Sequence, residues 1–183
     1  MKKMLFCTYL VLLGLLLSCS HANTNKENSI GNNNNTSNNL NREREKMIAN
    51  NELVNRAIET GNFDGIDTLW ADDIVDHSGP MGEEVHGKDS LKAVLMQMSK
   101  SMKDIKIDTK VSAYDPEKGY LFSLSHFTAT TTAPMSGMPA NSKLDMNSVD
   151  VIKIVNGKAT DHWVFENPQD MMKMMSGQKN GKK

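Results

Sequence analysis

The chain has 183 residues and a formal net charge of −1, yet residues 46–175 hold 13 basic side chains against 19 acidic ones, and the C-terminal Lys179, Lys182 and Lys183 offset the excess. An acidic domain is poorly matched to a phosphate backbone, so nucleic acid is not expected as a partner. Both cysteines, Cys7 and Cys19, precede the region able to fold, which excludes an internal disulfide, a thiol nucleophile and a Cys-ligated zinc there.

The chain opens with Lys2 and Lys3 and then the apolar run Leu10–Leu17. That run is too short and too early for a spanning helix and reads as a secretory signal over 1–18. Its end, Leu16-Leu17-Ser18-Cys19, resembles the bacterial lipobox, in which the Cys is lipid-modified after cleavage. The expectation is an exported protein anchored to a bacterial membrane, on the periplasmic or cell-surface side, through acyl chains on Cys19. Residues 19–44 form an Asn-rich linker with nothing to build a core and are expected to be disordered. The domain is expected over 45–176, followed by a polar tail over 177–183.

Within the domain, Met47, Ile48, Leu53, Val54, Ala57 and Ile58 recur at helical spacing, which predicts a helix over Arg42–Thr60 stopped by Gly61. A short second helix is expected over Asn62–Trp70, a loop over Asp72–Gly87, and a third helix over Asp89–Met102. After Asp104 the period becomes two. Strands are expected near Ile105–Val111 and over Tyr120–Thr132, Leu144–Val155 and Lys158–Glu166, with turns at Pro116–Gly119 and Asn156-Gly157. A closing helix is expected over Pro168–Ser176. Helices first and an antiparallel meander second is an α+β pattern, in which a curved sheet wrapped by three N-terminal helices encloses an apolar pocket.

Asp150 is the most informative residue. It shares a strand face with Leu144, Met146, Ser148, Ile152 and Ile154, so a carboxyl stands where core is expected. Apolar surroundings would raise its pKa and make it an acid or hydrogen-bond donor, whereas a cation at the sheet's end would make it a structural partner. His162 depends on the hairpin. A two-residue Asn156-Gly157 turn sets Asp150 opposite Trp163, and a three-residue loop sets it opposite His162. His77, in the expected loop, is placed at a pocket mouth. Trp70 is expected to point inward, and Val164 and Glu166 share the face of His162. His126 lies with Tyr120, Phe122 and Leu124 on what reads as the core side of its strand, and His86 reads as surface. The histidines show no HxH or HxxxH spacing, and the methionines read as gap-fillers, so neither metal nor cofactor is expected. Nucleophile-elbow, phosphate-loop and dinucleotide motifs are absent from the sequence.

The order of Glu59-Thr60-Gly61-Asn62-Phe63, Leu69-Trp70-Ala71-Asp72-Asp73-Ile74-Val75-Asp76-His77, Gly137-Met138-Pro139 and Val149-Asp150-Val151-Ile152-Lys153, ending in Asp161-His162-Trp163, resembles the SnoaL-like polyketide cyclase family of the nuclear transport factor 2-like superfamily. The resemblance spans residues 46–176. It implies a cone-shaped α+β barrel with a deep apolar pocket, often dimeric through its sheet. It places Asp150 where ketosteroid isomerases hold an oxyanion-stabilising Asp, and His162 at a His near the cyclase site. Where the cyclases carry an acid/base Asp this chain has Val164, and the isomerase base falls near His77 or Ser78. The function expected is proton transfer on a small apolar carbonyl compound, with Asp150 as donor and His77 or His162 as base. The alternative is a non-catalytic module that binds a hydrophobic ligand or a protein, and a homodimer paired through the sheet is among the expected partners.

Overall fold

The computed structural model describes residues 30–79, 82–134 and 138–177, and in it helices precede a meander as the periodicity requires. Helix α1 runs Ile30–Thr60 and ends at Gly61, whose φ of 71° is the left-handed geometry that closes a helix. It starts twelve residues before the expected Arg42, inside the stretch expected to be disordered. Residues 36–46 are exposed, so this length rests on propagation from packed turns, which costs far less than nucleation. Two ties fix it: Arg44 Nε donates to the Tyr114 carbonyl at 3.3 Å, and Tyr114 Oη donates to Glu43 at 3.1 Å.

The second expected helix is only a 3-10 turn, Ile66–Leu69. Gly61 and Gly65 both take positive φ, and Trp70 is already extended at φ −110°, ψ 147°. The expected loop that follows is sheet instead. Strand β1 is Trp70–Asp76 and β2 is Val85–His86. Exposed Asp72 and Asp73 give the segment a loop-like composition, but Trp70, Ile74 and Asp76 are buried on one side. Helix α2 covers Lys88–Lys100, and Met102 opens β3 (Met102–Asp115) instead of closing the helix. Strands β4 (Tyr120–Thr131), β5 (Lys143–Val155) and β6 (Lys158–Glu166) and helix α3 (Pro168–Gly177) fall close to expectation.

The strands form one sheet in the order β2-β1-β6-β5-β4-β3. All pairs are antiparallel except β1 with β6, and the sheet does not close on itself. The fold is an open, mixed-sheet α+β cone, with α1 before the sheet, α2 between β2 and β3, and α3 after it, rather than three helices before it. Helices α1 and α2 cover the concave face. One core cluster joins Ala57, Ile58, Phe63, Ile66, Trp70, Ile74 and Leu91, and a second joins Met47, Tyr114, Leu121 and Ile154. The third is methionine-rich, with Met98, Met138, Met146 and Met174 around Met102, Ala129 and Leu144, as flexible thioethers fill irregular space.

The face of β4 is the reverse of that expected. Leu121, Ser123 and Ser125 point inward and are buried, while Phe122 and Leu124 are 44% and 40% exposed. The apolar residues mark the convex face here, and small hydroxyls mark the concave one. In register, Val111, Leu124, Val149 and Phe165 make a row across four strands, with Phe122, Val151 and Trp163 beside it.

The β5–β6 hairpin has the two-residue turn of one sequence alternative, but neither expected partner of Asp150, Trp163 or His162, stands opposite it. Asn156 and Gly157, with φ of 52° and 75°, form the two-residue turn, and Val155 pairs with Lys158. A bulge then shifts the register between Lys153 and Ile154, so Asp150 faces Val164 and His162 faces Ile152. The bulge restores the side-chain parity that the tight turn alone would break, and Asp150 and His162 point to the same face as diagonal neighbours.

Candidate active site

Three strands bring their polar residues to one end of the concave face. Asp76 ends β1, and its parallel neighbour on β6 is His162. His162 Nδ1 lies 3.2 Å from Asp76 Oδ1, and Nε2 lies 3.4 Å from Asp150 Oδ1 on β5. The clamp around this group is covalently remote but tight. His77 N–H donates to the His162 carbonyl at 2.8 Å, Ser78 N–H donates to Asp76 Oδ1 at 2.9 Å, and Val164 N–H donates to Ser78 Oγ at 2.6 Å. The β1 terminus thus fixes both the imidazole and the carboxylate that orients it.

Asp76, Asp150 and His162 line a partly open cavity of about 110 Å³ whose other walls are mostly apolar, among them Trp70, Ile74, Leu91, Leu121 and Ile152. Mostly apolar walls with a few convergent polar groups are the usual lining of a small-molecule site.

Electrostatics settle the charge states. Burial pulls His162 down, but hydrogen bonds to Asp150 and Asp76 and their negative charges outweigh it, and its pKa rises to about 9. Burial raises Asp76, yet the His162 hydrogen bond and charge and the Ser78 N–H leave it below the usual carboxylate range. At neutral pH the group is an imidazolium held between carboxylates. It is therefore no base. Asp150 has this imidazole as its diagonal neighbour, 3.4 Å away, beside the apolar wall expected around it.

The other residues singled out in the sequence lie elsewhere. Trp70 lines the cavity. His77 projects to the convex side, stacked on Trp163 with centroids 4.6 Å apart and an interplanar angle of 7°. Its Nδ1 meets Glu84 at 2.7 Å and its Nε2 meets Asp161 at 3.2 Å. The Glu84 hydrogen bond, opposed by burial and aided by Asp161, raises its pKa. His77 thus stands outside the cavity, because β1 is a strand and successive side chains alternate faces. His126 is also convex and pairs with Asp145 at 2.8 Å. His86 is exposed beside Glu84. Glu166 is exposed at the sheet end, opposite Ser148, and Val164 faces Asp150 across the ladder. Cys19 lies outside the described residues. Asp76 was missed in the sequence because its segment reads as loop. The Ile74–Asp76 spacing of two, after buried Trp70, was the available signal. Among the described residues, no group of three or more His, Cys, Asp or Glu side chains is arranged to hold a metal ion.

An open α+β cone with an acid–imidazolium–acid group at the end of an apolar cavity defines a class of small-molecule pocket proteins. Within it, the chain belongs to the SnoaL-like polyketide cyclase family, whose profile matches residues 49–175. Comparison with curated proteins finds no match. Among solved structures it is similar to an LEH-like epoxide hydrolase of M. tuberculosis, with a TM-score of 0.60, 15% identity, and coverage of 74% of this chain and 92% of that one. It is also similar to a SnoaL-like polyketide cyclase of Agrobacterium tumefaciens, with a TM-score of 0.59, 12% identity and coverage of 70% and 97%. A third similar structure is the epoxide hydrolase/cyclase-like enzyme SalBIII, described for pyran ring formation, with a TM-score of 0.57, 14% identity and coverage of 69% and 94%. At these identities the likeness establishes the fold.

The charge state of His162 is directly measurable. Because its folded pKa is raised from 6.5 to about 9, its contribution to stability is complete below pH 6.5 and is lost as pH rises through about 9. The shift corresponds to the order of 3 kcal/mol. Asp76 has the opposite sign: its contribution is present above its ordinary value of 3.8 and is lost as pH falls through the lowered one. Nitrogen-detected imidazole NMR is expected to give a His162 midpoint near 9, falling on Asp76→Asn. A midpoint near 6.5 in the unsubstituted protein would refute the paired imidazolium.

Proposed function

We propose that the protein is an envelope lipoprotein that catalyses acid/base proton transfer on a small apolar carbonyl compound. The observation that carries the reading is the Asp76–His162–Asp150 group within an apolar cavity. Asp150, the less buried carboxylate and the one at the looser 3.4 Å contact, is the base. It takes a proton from the carbon beside the carbonyl, and the C–H electron pair moves onto the carbonyl oxygen. As Asp150 becomes neutral, the Nε2–H of His162 is released from it and turns to the developing enolate oxygen, while Asp76 holds Nδ1 and keeps the charge in place. Return of the proton to another carbon gives isomerisation, and attack by the enolate on a second carbonyl gives cyclisation. The base is thus Asp150, with His162 as the cationic donor, the reverse of the roles the sequence invites. The similarity to an epoxide hydrolase and to an epoxide hydrolase/cyclase-like enzyme is in keeping with oxygen chemistry in such a cavity.

Solvent exchange is the direct assay. In D₂O the protein is expected to accelerate α-C–H exchange of small cyclic and linear ketones, followed by proton NMR. Asp150→Asn should lower the rate by about 10² or more. If no ketone exchanges above background and Asp150→Asn leaves the binding of a co-purified apolar molecule unchanged in native mass spectrometry, the pocket is a binding module and not an active site.

The lipobox supports the anchor and the address. Cys19→Ser is expected to move the protein from the membrane to the soluble fraction of the producing cells; retention in the membrane would remove the lipid reading.

The convex row supports self-association, because Val111 and Phe165 are 59% and 61% exposed beside Phe122 and Leu124, a contiguous apolar patch. A homodimer packed sheet to sheet would cover it. Phe122→Lys with Phe165→Lys is expected to convert a dimer to a monomer in analytical ultracentrifugation without loss of folded structure. A monomeric parent protein would end this reading.

A further inference from the structure

The cavity wall supplied by α1 is not uniformly apolar. Positions 47, 51, 54, 55 and 58 face the cavity from one side of the helix, and Met47, Val54 and Ile58 suit it. Asn51 and Asn55 do not, since Asn is a weak helix former and a buried amide costs free energy unless its groups find partners.

Each amide is half satisfied, and in the same way. Asn51 Nδ2 donates to Ser123 Oγ at 3.2 Å, and Asn55 Nδ2 donates to Thr109 Oγ1 at 3.2 Å. Those hydroxyls are themselves paired across the sheet, Ser123 with Ser112 at 2.9 Å and Thr109 with Ser125 at 3.4 Å. This hydroxyl ladder holds both amides by their nitrogen. Each carbonyl oxygen is left without a protein hydrogen bond. Neither oxygen is sealed in: among the described residues the fully buried side-chain atom lacking a partner is Asp67 Oδ1, on another element. Asn51 and Asn55, with Asn50, thus line the cavity among the apolar residues of α1, and among the described residues their carbonyl oxygens have no hydrogen-bond partner.

Their position relative to the carboxylates follows from register. Ser123, which holds Asn51, is the direct partner of Asp150 in the β4–β5 ladder. Cross-strand neighbours lie about 5 Å apart, and Asn55 is one helical turn, about 6 Å, further along. An acceptor pair thus stands within the length of a short carbon chain from the reacting end.

We propose that Asn51 and Asn55 form a second subsite that accepts a hydrogen bond from a hydroxyl of the ligand, so that the substrate is a hydroxy-substituted apolar carbonyl compound. A carbonyl acceptor recognises an O–H and not an ether or a methyl group. An ammonium would also donate, but an apolar wall penalises its burial far more than that of a neutral hydroxyl. The proposal rests on the reading of Asp150 and His162 as the reacting end, and it adds the residues that select among ketones.

The test uses calorimetric binding to the full chain carrying Cys19→Ser, which avoids detergent. The probes are ω-hydroxy-2-alkanones of four to nine carbons, the ω-methoxy ketones of the same chain lengths, and the plain 2-alkanones. At one chain length the hydroxy ketone is expected to bind about tenfold more tightly than its methoxy partner, the factor that one hydrogen bond to a desolvated acceptor confers. Asn51→Leu or Asn55→Leu should abolish that preference, bringing the hydroxy and methoxy ketones of each length within about threefold of one another. The hydroxy–methoxy comparison needs no variant, so a misfolded substitution cannot decide the outcome. Equal binding of hydroxy and methoxy ketones at every length, or a preference that survives both Leu substitutions, overturns the subsite. Plain ketones that bind through Asp150 while the hydroxyl adds nothing overturn the subsite alone. Failure of all three series to bind overturns both the subsite and the reading of the pocket.

Discussion

A charged imidazole between two carboxylates is the constraint on which the rest of this structure turns. His162, on β6, connects the end of β1 to the middle of β5, and β1 and β6 are the parallel pair of the sheet. Taking such charges out of water is expensive, and a well-packed apolar trio of similar volume would serve stability as well or better. The group is therefore poorly explained as a staple. It is better explained by what it offers the cavity: a carboxylate beside a cation, and that cation kept in place by a second carboxylate. The backbone accommodates that requirement locally. The β1 terminus spends three hydrogen bonds, from His77, Ser78 and Val164, on holding one side chain and its partner.

The same requirement accounts for the irregularity in the β5–β6 hairpin. An Asn-Gly turn of two residues favours a ladder in which Asp150 and His162 fall on opposite faces. One bulged residue near Thr160 corrects the parity and sets the two side chains diagonally, near enough to touch but not pressed together. A sheet stabilised only by its ladder has no use for that defect, whereas a sheet that must present two residues to one cavity does.

The sequence carries the late part of the fold better than the early part, and the physical reason lies in the strand faces. Strands β4 to β6 are long and bounded by turn residues, so their existence and limits follow from period two. Strand β1 does not alternate cleanly: a register shift lies between Trp70 and Val75, and two exposed aspartates interrupt it. Asp76 was hidden by that, and His77, the conspicuous neighbour, took its place in the reading. The inversion on β4 has a different origin. Alternation tells which residues share a face, not which face is covered, and here the larger apolar set, Phe122 and Leu124, lies on the side the helices leave open. Asp150 and His162 were readable because a charge at an apolar strand position is improbable on packing grounds alone. Their relation to each other was not, since it depends on one bulge.

The polar residues of the concave face extend the argument beyond the charged group. Ser112, Ser123 and Asp150 occupy consecutive rungs across β3, β4 and β5, and α1 adds Asn51 above them. A helix and a sheet that met only to bury surface would place Leu and Val at these positions and gain free energy by it. Instead the interface keeps a hydroxyl ladder that orients amides and leaves their carbonyls available. Local preference and global packing disagree at the same few residues that line the cavity, and elsewhere on α1 they agree, with Met47, Ala57 and Ile58 buried as the helical period demands. Such disagreements concentrate at functional sites. The coincidence of the charged group, the bulge that aligns it and the amide wall around one cavity makes a shared ligand the economical explanation of all three.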